Sequence, residues 1–387
     1  MKKTILVMGL GKVGLLVAEM LDKYLPQFDV WGVDQPWSNG LEFWRNRGKL
    51  GTAVNIANLN NHSSEWGWLF DNCWAVVSCL PYHLNLRVAQ AANSFGVNYF
   101  DLTEDVETTK GIMELSPEFD VTGLQFDNIR VPQCGLAPGF IGMLGAYLVG
   151  TDPRLNELSL MVGALPKHPK GELGYACNWS PEGLVNEYLN AAETLNEFER
   201  VTVSSLRQKS KVNIEGVDLE AFETSGGLGT MCHTFYGKLR NLTYKTLRYP
   251  GHVDMIRFLV HELGLGLKPH LLGELLVNAC PPDPDDLVFV RACAHNENSW
   301  GLPIPIGYAY KMYARIYTPK ELFGVTRTAI AWTTAAGVCG VVELAAEEGS
   351  LKPGFVNVEL IPLHSFARTQ SGKLFELEAL LNERETA

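Results

Sequence analysis

Two short stretches of this chain carry the residue types and spacings that chemistry requires. The first is Gly9-Leu10-Gly11-Lys12-Val13-Gly14, set between the apolar run Thr4–Met8 and a segment, Lys12–Lys23, whose apolar residues recur at helical spacing. Glycines so placed allow a tight turn at Gly9, close approach of backbone to a ligand at Gly11 and helix-on-strand packing at Gly14. The N–H groups of Lys12 and Val13 then open a helix whose positive end suits a phosphate. Asp34 lies twenty positions after Gly14, at the end of a second apolar run, Asp29–Val33. A carboxylate there accepts hydrogen bonds from ribose hydroxyls and repels a 2′-phosphate. No arginine follows it at once in Gln35-Pro36-Trp37. The expected ligand is a dinucleotide, NAD in preference to NADP. An ordinary strand–helix turn, with Asp34 as its cap, is the competing reading.

The second stretch is Asp101-Leu102-Thr103-Glu104-Asp105, at the end of a further predicted strand. Its carboxylates suit a substrate ammonium, and one of them could take a proton from an amine as a general base. The alternative is a solvated loop in which Thr103 or Asp105 caps a helix. Ser78-Cys79-Leu80-Pro81 follows another strand and is expected beside the ribose through Ser78, Leu80 and Pro81, although a plain loop reads equally well. Cys134-Gly135-Leu136-Ala137-Pro138-Gly139 forms a turn, and Cys134 has no nearby His or Lys to activate it as a nucleophile.

The elements that must position these residues alternate in type. Strands are predicted at Thr4–Met8, Asp29–Val33, Thr52–Asn55, Ala75–Cys79, Asn98–Leu102 and Arg130–Gln133, and helices at Lys12–Lys23 and Leu84–Phe95. That alternation predicts an α/β fold with a doubly wound parallel sheet. After an apolar helix at Phe140–Val149, strands dominate: Leu158–Gly163, Val201–Lys209, Gly216–Thr224 and Leu242–Arg248, with one main helix at Glu182–Leu195. This predicts a second, α+β domain. Helices are expected at Val253–Leu263 and Pro269–Asn278, a loop at Pro281–Asp286, and a long, nearly uncharged and therefore buried helix at Thr326–Gly349.

Composition narrows the class. The chain has 387 residues, enough for two or three domains at roughly 100–200 each. Its net charge of -11 argues against a nucleic-acid surface, which needs a basic stripe. Eight scattered cysteines without a Cys-x-x-Cys pair read as reduced thiols. Nine histidines without a His-x-x-x-His pair give no metal site and argue against a metal-dependent hydrolase. No stretch resembles a signal peptide with a cleavage site, and no apolar run reaches the length of a membrane span. A cytoplasmic enzyme without membrane contact is expected.

The chain resembles the saccharopine dehydrogenase family, in particular its lysine 6-dehydrogenase-like members. The residues that carry the resemblance are Asp101–Asp105, Cys134–Gly139, the block Tyr175-Ala176-Cys177-Asn178-Trp179-Ser180-Pro181-Glu182-Gly183-Leu184-Val185-Asn186-Glu187-Tyr188, then Glu220–Gly227 and Lys245–His252. They stand in the family's order over roughly residues 1–260, with looser likeness beyond. The resemblance implies an N-terminal Rossmann domain (1–140), a substrate and dimerisation domain (141–324) and a C-terminal segment (325–387) whose helix docks on the Rossmann domain. It also implies a homodimer and NAD(P)-linked oxidation of a C–N bond in a basic amino acid or its adduct.

Residue chemistry is compatible with this. Arg248 can hold a carboxylate through paired hydrogen bonds and shares a strand face with Thr246 and Tyr244, or it is a surface or interface cation. Trp179 offers a wall that attracts an aliphatic ammonium, or it packs in a core. Glu182 and Glu187 are off same-face spacing, so at most one faces a site. His252 titrates near neutrality and is a candidate proton carrier, or it is structural. Glu223-Thr224-Ser225-Gly226-Gly227 can approach a ligand or merely end a strand. These readings assign substrate contact to Cys134, Asn178, Trp179, Glu223, Thr224 and Arg248, and catalysis to Asp101, Asp105 and His252. Two rivals stand beside the amino-acid dehydrogenase. A carboxy-polyamine dehydrogenase would draw further cations from Lys238, Arg240 and Lys245, and a non-catalytic dinucleotide sensor would bind NAD without turnover.

Overall fold

The computed structural model describes residues 2–59, 64–117, 127–296 and 309–382. They form two compact units: residues 1–140 with 333–387, and residues 141–332.

The first unit is built on a seven-stranded, all-parallel sheet. Its strands are β1 (Thr4–Met8), β2 (Asp29–Asp34), β3 (Gly51–Ala53), β4 (Cys73–Ser78), β5 (Asn98–Asp101), β6 (Ile129–Val131) and the late strand Gly354–Phe355, which pairs with β6. The order runs β3, β2, β1, β4, β5, β6, then Gly354–Phe355, so the direction of winding reverses between β1 and β4. In such sheets ligands bind beyond the carboxyl ends of the strands at that reversal. Strand β1 is buried along all five residues, as a strand covered on both faces must be. Helix α1 (Lys12–Tyr24) turns Leu16, Val17, Met20 and Leu21 inward. Each such side chain contributes about 1.5–3 kcal/mol by leaving water.

The chain returns to this unit through the helix Ala329–Ala346, which is long and apolar enough to cross a membrane but has 78% of that window buried inside the protein. Within the unit it lies against the Cys134–Gly139 turn: a Cβ at Gly337 would stand 2.3 Å from the Gly135 carbonyl oxygen. Glu343 then accepts the Gln370 and Ser371 N–H groups and the Ser371 hydroxyl, and Phe140 stacks on Phe375 at 4.0 Å.

The second unit carries an eight-stranded mixed sheet. Strand β7 (Glu157–Pro166) precedes a hairpin, β8 (Ala192–Asn196) with β9 (Glu199–Val203), and a second one, β10 (Ser210–Ile214) with β11 (Val217–Glu223). Then come β12 (Asn241–Arg248), β13 (Asp286–His295) and β14 (Tyr310–Tyr317). The main path is β10, β11, β12, β7, β13, β14, and only β12 with β7 is parallel. Helices Pro181–Leu189, His252–Arg257 and Pro269–Ala279 contribute Leu184, Val253 and Leu272 to its core.

Several predicted elements shift. The helix expected over Glu182–Leu195 stops at Leu189, because the chain leaves helical geometry at Asn190 and Ala192–Asn196 pairs as a strand. The strand expected over Val201–Lys209 breaks where Leu206 and Gln208 take positive φ. The helix over Val253–Leu263 widens into a π turn at Phe258–Glu262. Thr326 belongs to a short hairpin ahead of Ala329. Strands β13 and β14 lie where no strand was expected. Asp286, expected in a loop, begins β13 fully buried and caps the long helix by accepting the Ala329 N–H at 2.6 Å and the Ile330 N–H at 3.0 Å.

Asp286→Ala removes both acceptors from a buried helix end. We expect the urea-unfolding free energy to fall by about 1.5–3 kcal/mol, the range for hydrogen bonds to a charged group. Asp286→Asn, which keeps one acceptor oxygen, should lose less, and an Ala variant as stable as wild type would refute the cap.

Candidate functional site

In the first unit the glycine turn is shaped by contacts that admit no side chain. Gly9 has φ +87° and a Cβ there would lie 2.7 Å from the Cys79 carbonyl oxygen. A Cβ on Gly14 would lie 1.8 Å from the Gly9 oxygen. These two glycines are demanded by the fold. Gly11 is different: a Cβ there meets nothing within 4 Å. Its bare backbone faces open space at the start of α1, where no side chain caps the helix and the first turn holds no acid. Uncapped N–H groups beside a side-chain-free backbone suit the pyrophosphate of a dinucleotide. Lys12 is exposed and Val13 half-buried at this end.

Asp34 ties the turn to β2. Its carboxylate accepts the Leu10 N–H at 2.8 Å, the Gln35 N–H at 2.8 Å and the Ser38 hydroxyl at 2.7 Å. Ser38 in turn caps the helix Asn39–Asn46. A carboxylate has about four acceptor positions, so this half-exposed residue retains capacity for a ribose hydroxyl. Leu80 packs beside Gly9, and Pro81 is exposed where the helix Tyr82–Ser94 begins.

Four residues expected at the site are committed to the fold of this unit. The Ser78 hydroxyl is buried and donates to Asn85 at 2.7 Å, so it turns away from a ribose. Asp101 is fully buried and accepts from Tyr99 Oη and from the Thr103 and Gln133 N–H groups at 2.8–2.9 Å. Burial pushes its carboxyl up to about 6 against those three hydrogen bonds. It knits the ends of β5 and β6 together and has no open face toward a substrate. Asp105 caps the helix Val106–Met113 by accepting the Thr108 N–H at 2.7 Å. The acidic loop is thus the capping loop of the alternative reading. Cys134, expected at the substrate, is buried with its thiol directed at the Asp101 and Val131 carbonyls, and burial, aided by Asp101, pushes it well above the usual thiol range.

In the second unit, Tyr244, Thr246 and Arg248 alternate onto one face of β12. The Thr246 hydroxyl meets that of Thr224 at 2.6 Å. Arg248 is 3% exposed. It donates to Tyr188 Oη at 3.2 Å, to the Leu247 carbonyl at 2.9 Å and to Glu187 Oε2 at 3.3 Å. Its guanidinium lies 4.7 Å over the Tyr175 ring. Tyr175 accepts the Trp179 indole N–H at 2.8 Å, so Trp179 stands half-buried at the edge of the same cluster. The Glu187 side chain keeps 13% exposure; burial pushes its carboxyl up to about 7, with Arg248 pulling the other way. Glu182 is exposed, so Glu187 is the one of the pair that faces inward.

His252, expected as a proton carrier, has both ring nitrogens committed to the frame of this cluster. It is buried, its Nε2 is 2.9 Å from Tyr188 Oη and its Nδ1 2.8 Å from the Leu173 carbonyl. A carbonyl can only accept, so Nδ1 carries the proton and Nε2 accepts from Tyr188. Burial, then the Arg248 charge, holds His252 down at about 3. Asn178 is likewise committed to the frame: its amide bonds the Asp283 carbonyl at 2.8 Å and N–H at 2.9 Å. Glu223 stands opposite Lys245 in the β11–β12 ladder, one residue out of phase with Thr246 and Arg248, and so projects from the other face of the sheet. Of the additional cations considered, Lys245 shares that other face, Arg240 pairs with Glu197 and Lys238 bonds the Thr234 carbonyl. None of the three joins Arg248. Tyr175 and Tyr188 escaped sequence reasoning; their only signal was adjacency to Trp179 and Glu187.

A glycine turn at the reversal of a 3-2-1-4-5-6 parallel sheet, followed by a mixed-sheet unit, defines a Rossmann-type α/β architecture. Residues 135–374, more than half of the chain, match the family model of the saccharopine dehydrogenase C-terminal domain. The chain belongs to the saccharopine dehydrogenase family and is an oxidoreductase. The apo, histidine-tagged saccharopine dehydrogenase (L-Glu forming) of Saccharomyces cerevisiae has the same fold, with a TM-score of 0.70 at 13% identity over 98% of this chain and 97% of that one. Amine dehydrogenase of Mycobacterium smegmatis (TM-score 0.46, 11% identity, 94% and 96% covered) and myo-inositol dehydrogenase of Corynebacterium glutamicum (TM-score 0.42, 11% identity, 96% of each) are more distant in structure.

The His252 geometry sets a pH dependence. Its folded pKa lies below the unfolded one, so the folded state binds fewer protons and stability falls as pH drops from 6.5 toward 3. Asp101 and Glu187, whose carboxyls are raised, act in the opposite sense, between 3.8 and about 6 and between 4.5 and about 7. The difference between wild type and His252→Gln isolates the histidine. Gln keeps an amide but cannot charge, so the gap between the two, measured by urea unfolding, should narrow on acidification through this window. A constant gap would show that His252 is not held neutral.

Proposed function

We propose that the protein is an NAD-dependent dehydrogenase oxidising a C–N bond of a basic amino acid or amino-acid adduct, as the lysine 6-dehydrogenase-like resemblance implies. The observation that carries this reading is the Arg248–Glu187 pair, a guanidinium and a carboxylate 3.3 Å apart at the polar edge of an aromatic cluster. An amino acid is a zwitterion, and it can take the place of each partner for the other. Its carboxylate takes guanidinium N–H groups of Arg248, and its ammonium takes Glu187. Trp179 supports the aliphatic chain, and the Thr224–Thr246 hydroxyls supply neutral hydrogen bonds beside it.

On this reading Gly11, Lys12 and Val13 hold the pyrophosphate and Asp34 holds the ribose, its charge disfavouring NADP. When bound, NAD supplies the hydride acceptor. The residues of the chain then have two tasks. Arg248 fixes the substrate carboxylate, and with it the carbon that loses hydride. Glu187 Oε2 receives a proton from the ammonium, since an amine must lose its proton before the carbon–nitrogen double bond can form. A carboxyl raised to about 7 is matched to that transfer near neutral pH.

NADH absorbance in a screen of lysine, saccharopine and carboxy-polyamines tests the reaction. Turnover with an amino-acid substrate is expected, with NAD favoured over NADP. Tight NAD binding without turnover of any of them would favour a sensor. Arg248→Ala should raise KM for the amino acid about 30- to 150-fold, as loss of charge-assisted hydrogen bonds implies, with KM for NAD unchanged. The kcat/KM of wild type should rise with pH through about 7 as Glu187 ionises. Glu187→Gln should abolish that limb, and an unaltered profile would remove Glu187 from proton transfer.

A further inference from the structure

We propose that the indole of Trp37 is the platform on which the adenine of the dinucleotide stacks, and that it sets the affinity for the adenosine half. The inference rests on the dinucleotide reading of the glycine turn but concerns a residue for which neither the fold nor the catalytic chemistry has a use. Trp37 is 70% exposed, whereas Trp44, Trp66 and Trp332 are fully buried. Leaving an indole in water forgoes the favourable burial of a large apolar ring. The position of Trp37 is nonetheless held from three directions. Its turn is closed by the Ser38 N–H on the Gln35 carbonyl at 3.0 Å. The Ser38 hydroxyl is anchored on Asp34 Oδ2, the same oxygen that takes the Leu10 N–H of the glycine turn. The helix that follows is pressed on that turn, since a Cβ at Gly40 would lie 1.8 Å from the Leu10 carbonyl oxygen.

The path of a dinucleotide across these residues is constrained. Its pyrophosphate belongs at the start of α1 and its adenosine ribose at Asp34, on the end of β2. The adenine must then lie beyond the ribose, away from β1, where the turn after β2 presents Trp37. Purines stack on aromatic side chains with about 1–3 kcal/mol per base by alanine substitution. An exposed indole on a braced turn, three residues from the ribose carboxylate, supplies such a platform.

Calorimetric titration of the full chain with ADP-ribose and with NAD tests this, using wild type, Trp37→Ala and Trp37→Phe, with urea-unfolding midpoints measured in parallel. We expect Trp37→Ala to bind both ligands about tenfold more weakly, Trp37→Phe to recover most of the loss, and the midpoints to stay unchanged. Indole fluorescence of wild type should be quenched on saturation with AMP, and that quench should be lost in Trp37→Ala. Wild-type affinity in Trp37→Ala, or an equal loss in the Phe variant, overturns the stacking role and leaves the glycine-turn reading intact. Failure of wild type to bind either ligand overturns both.

Discussion

A buried guanidinium has to be satisfied through its N–H groups and its charge together, and much of the second unit is arranged around that demand at Arg248. Five N–H groups and a full positive charge sit at 3% exposure. The Leu247 carbonyl, the Tyr188 hydroxyl and Glu187 take N–H groups, and the Tyr175 ring takes the face of the cation. Tyr188 accepts from Arg248 and places its own proton on a second acceptor, His252 Nε2. Burial, then the Arg248 charge, holds His252 neutral, with its remaining proton on the Leu173 carbonyl. The chain of donors runs in one direction, from guanidinium to phenol to imidazole to carbonyl. A histidine that looks in isolation like a proton shuttle is thus the last strut of an arginine site.

The first unit uses its carboxylates in the same way. Asp34, Asp101 and Asp105 each accept backbone N–H groups at a strand end or helix start. Parallel sheets end every strand with unpaired backbone donors in the following loop, and short acids are the efficient acceptors there. The location at which ligands bind is therefore also the location at which the fold itself consumes acids. Asp101 illustrates the outcome most strongly: three donors and complete burial make it a tie between β5 and β6. Asp34, half-exposed and with acceptor capacity left over, is the acid that can still serve a ligand.

This overlap explains what was legible in the sequence. Strand β1, helix α1 and strand β2 were plain because a strand covered on both faces leaves an unbroken apolar run, and glycines at Gly9 and Gly14 are compelled by backbone contacts that spacing reports faithfully. The face shared by Tyr244, Thr246 and Arg248 followed from strand alternation alone. Strand β13 was hidden because its identity depends on pairing with β7, far away in sequence, while its own residues include Arg291 and begin at an Asp in a proline-rich tract. Acids were misread for a related reason. Residue type and spacing tell that Asp101, Asp105 and Glu223 can do chemistry, but not which way a carboxylate points once the chain closes. Glu223 pairs with Lys245, an odd number of residues from Arg248, and that offset places it on the other face of the sheet.

The same electrostatics bears on selectivity in the proposed reaction. A simple amine offers an ammonium to Glu187 but brings no carboxylate for Arg248. Drawing Glu187 away would leave the guanidinium buried and uncompensated, and breaking a buried pair in that manner costs about 3–5 kcal/mol. A zwitterion replaces both partners at once and avoids that cost. On the proposed reading the pair would discriminate less by attraction to an amino acid than by the penalty it imposes on anything that is only an amine. That kind of selectivity requires the guanidinium to be buried; an exposed arginine would be rescued by water and would accept either ligand.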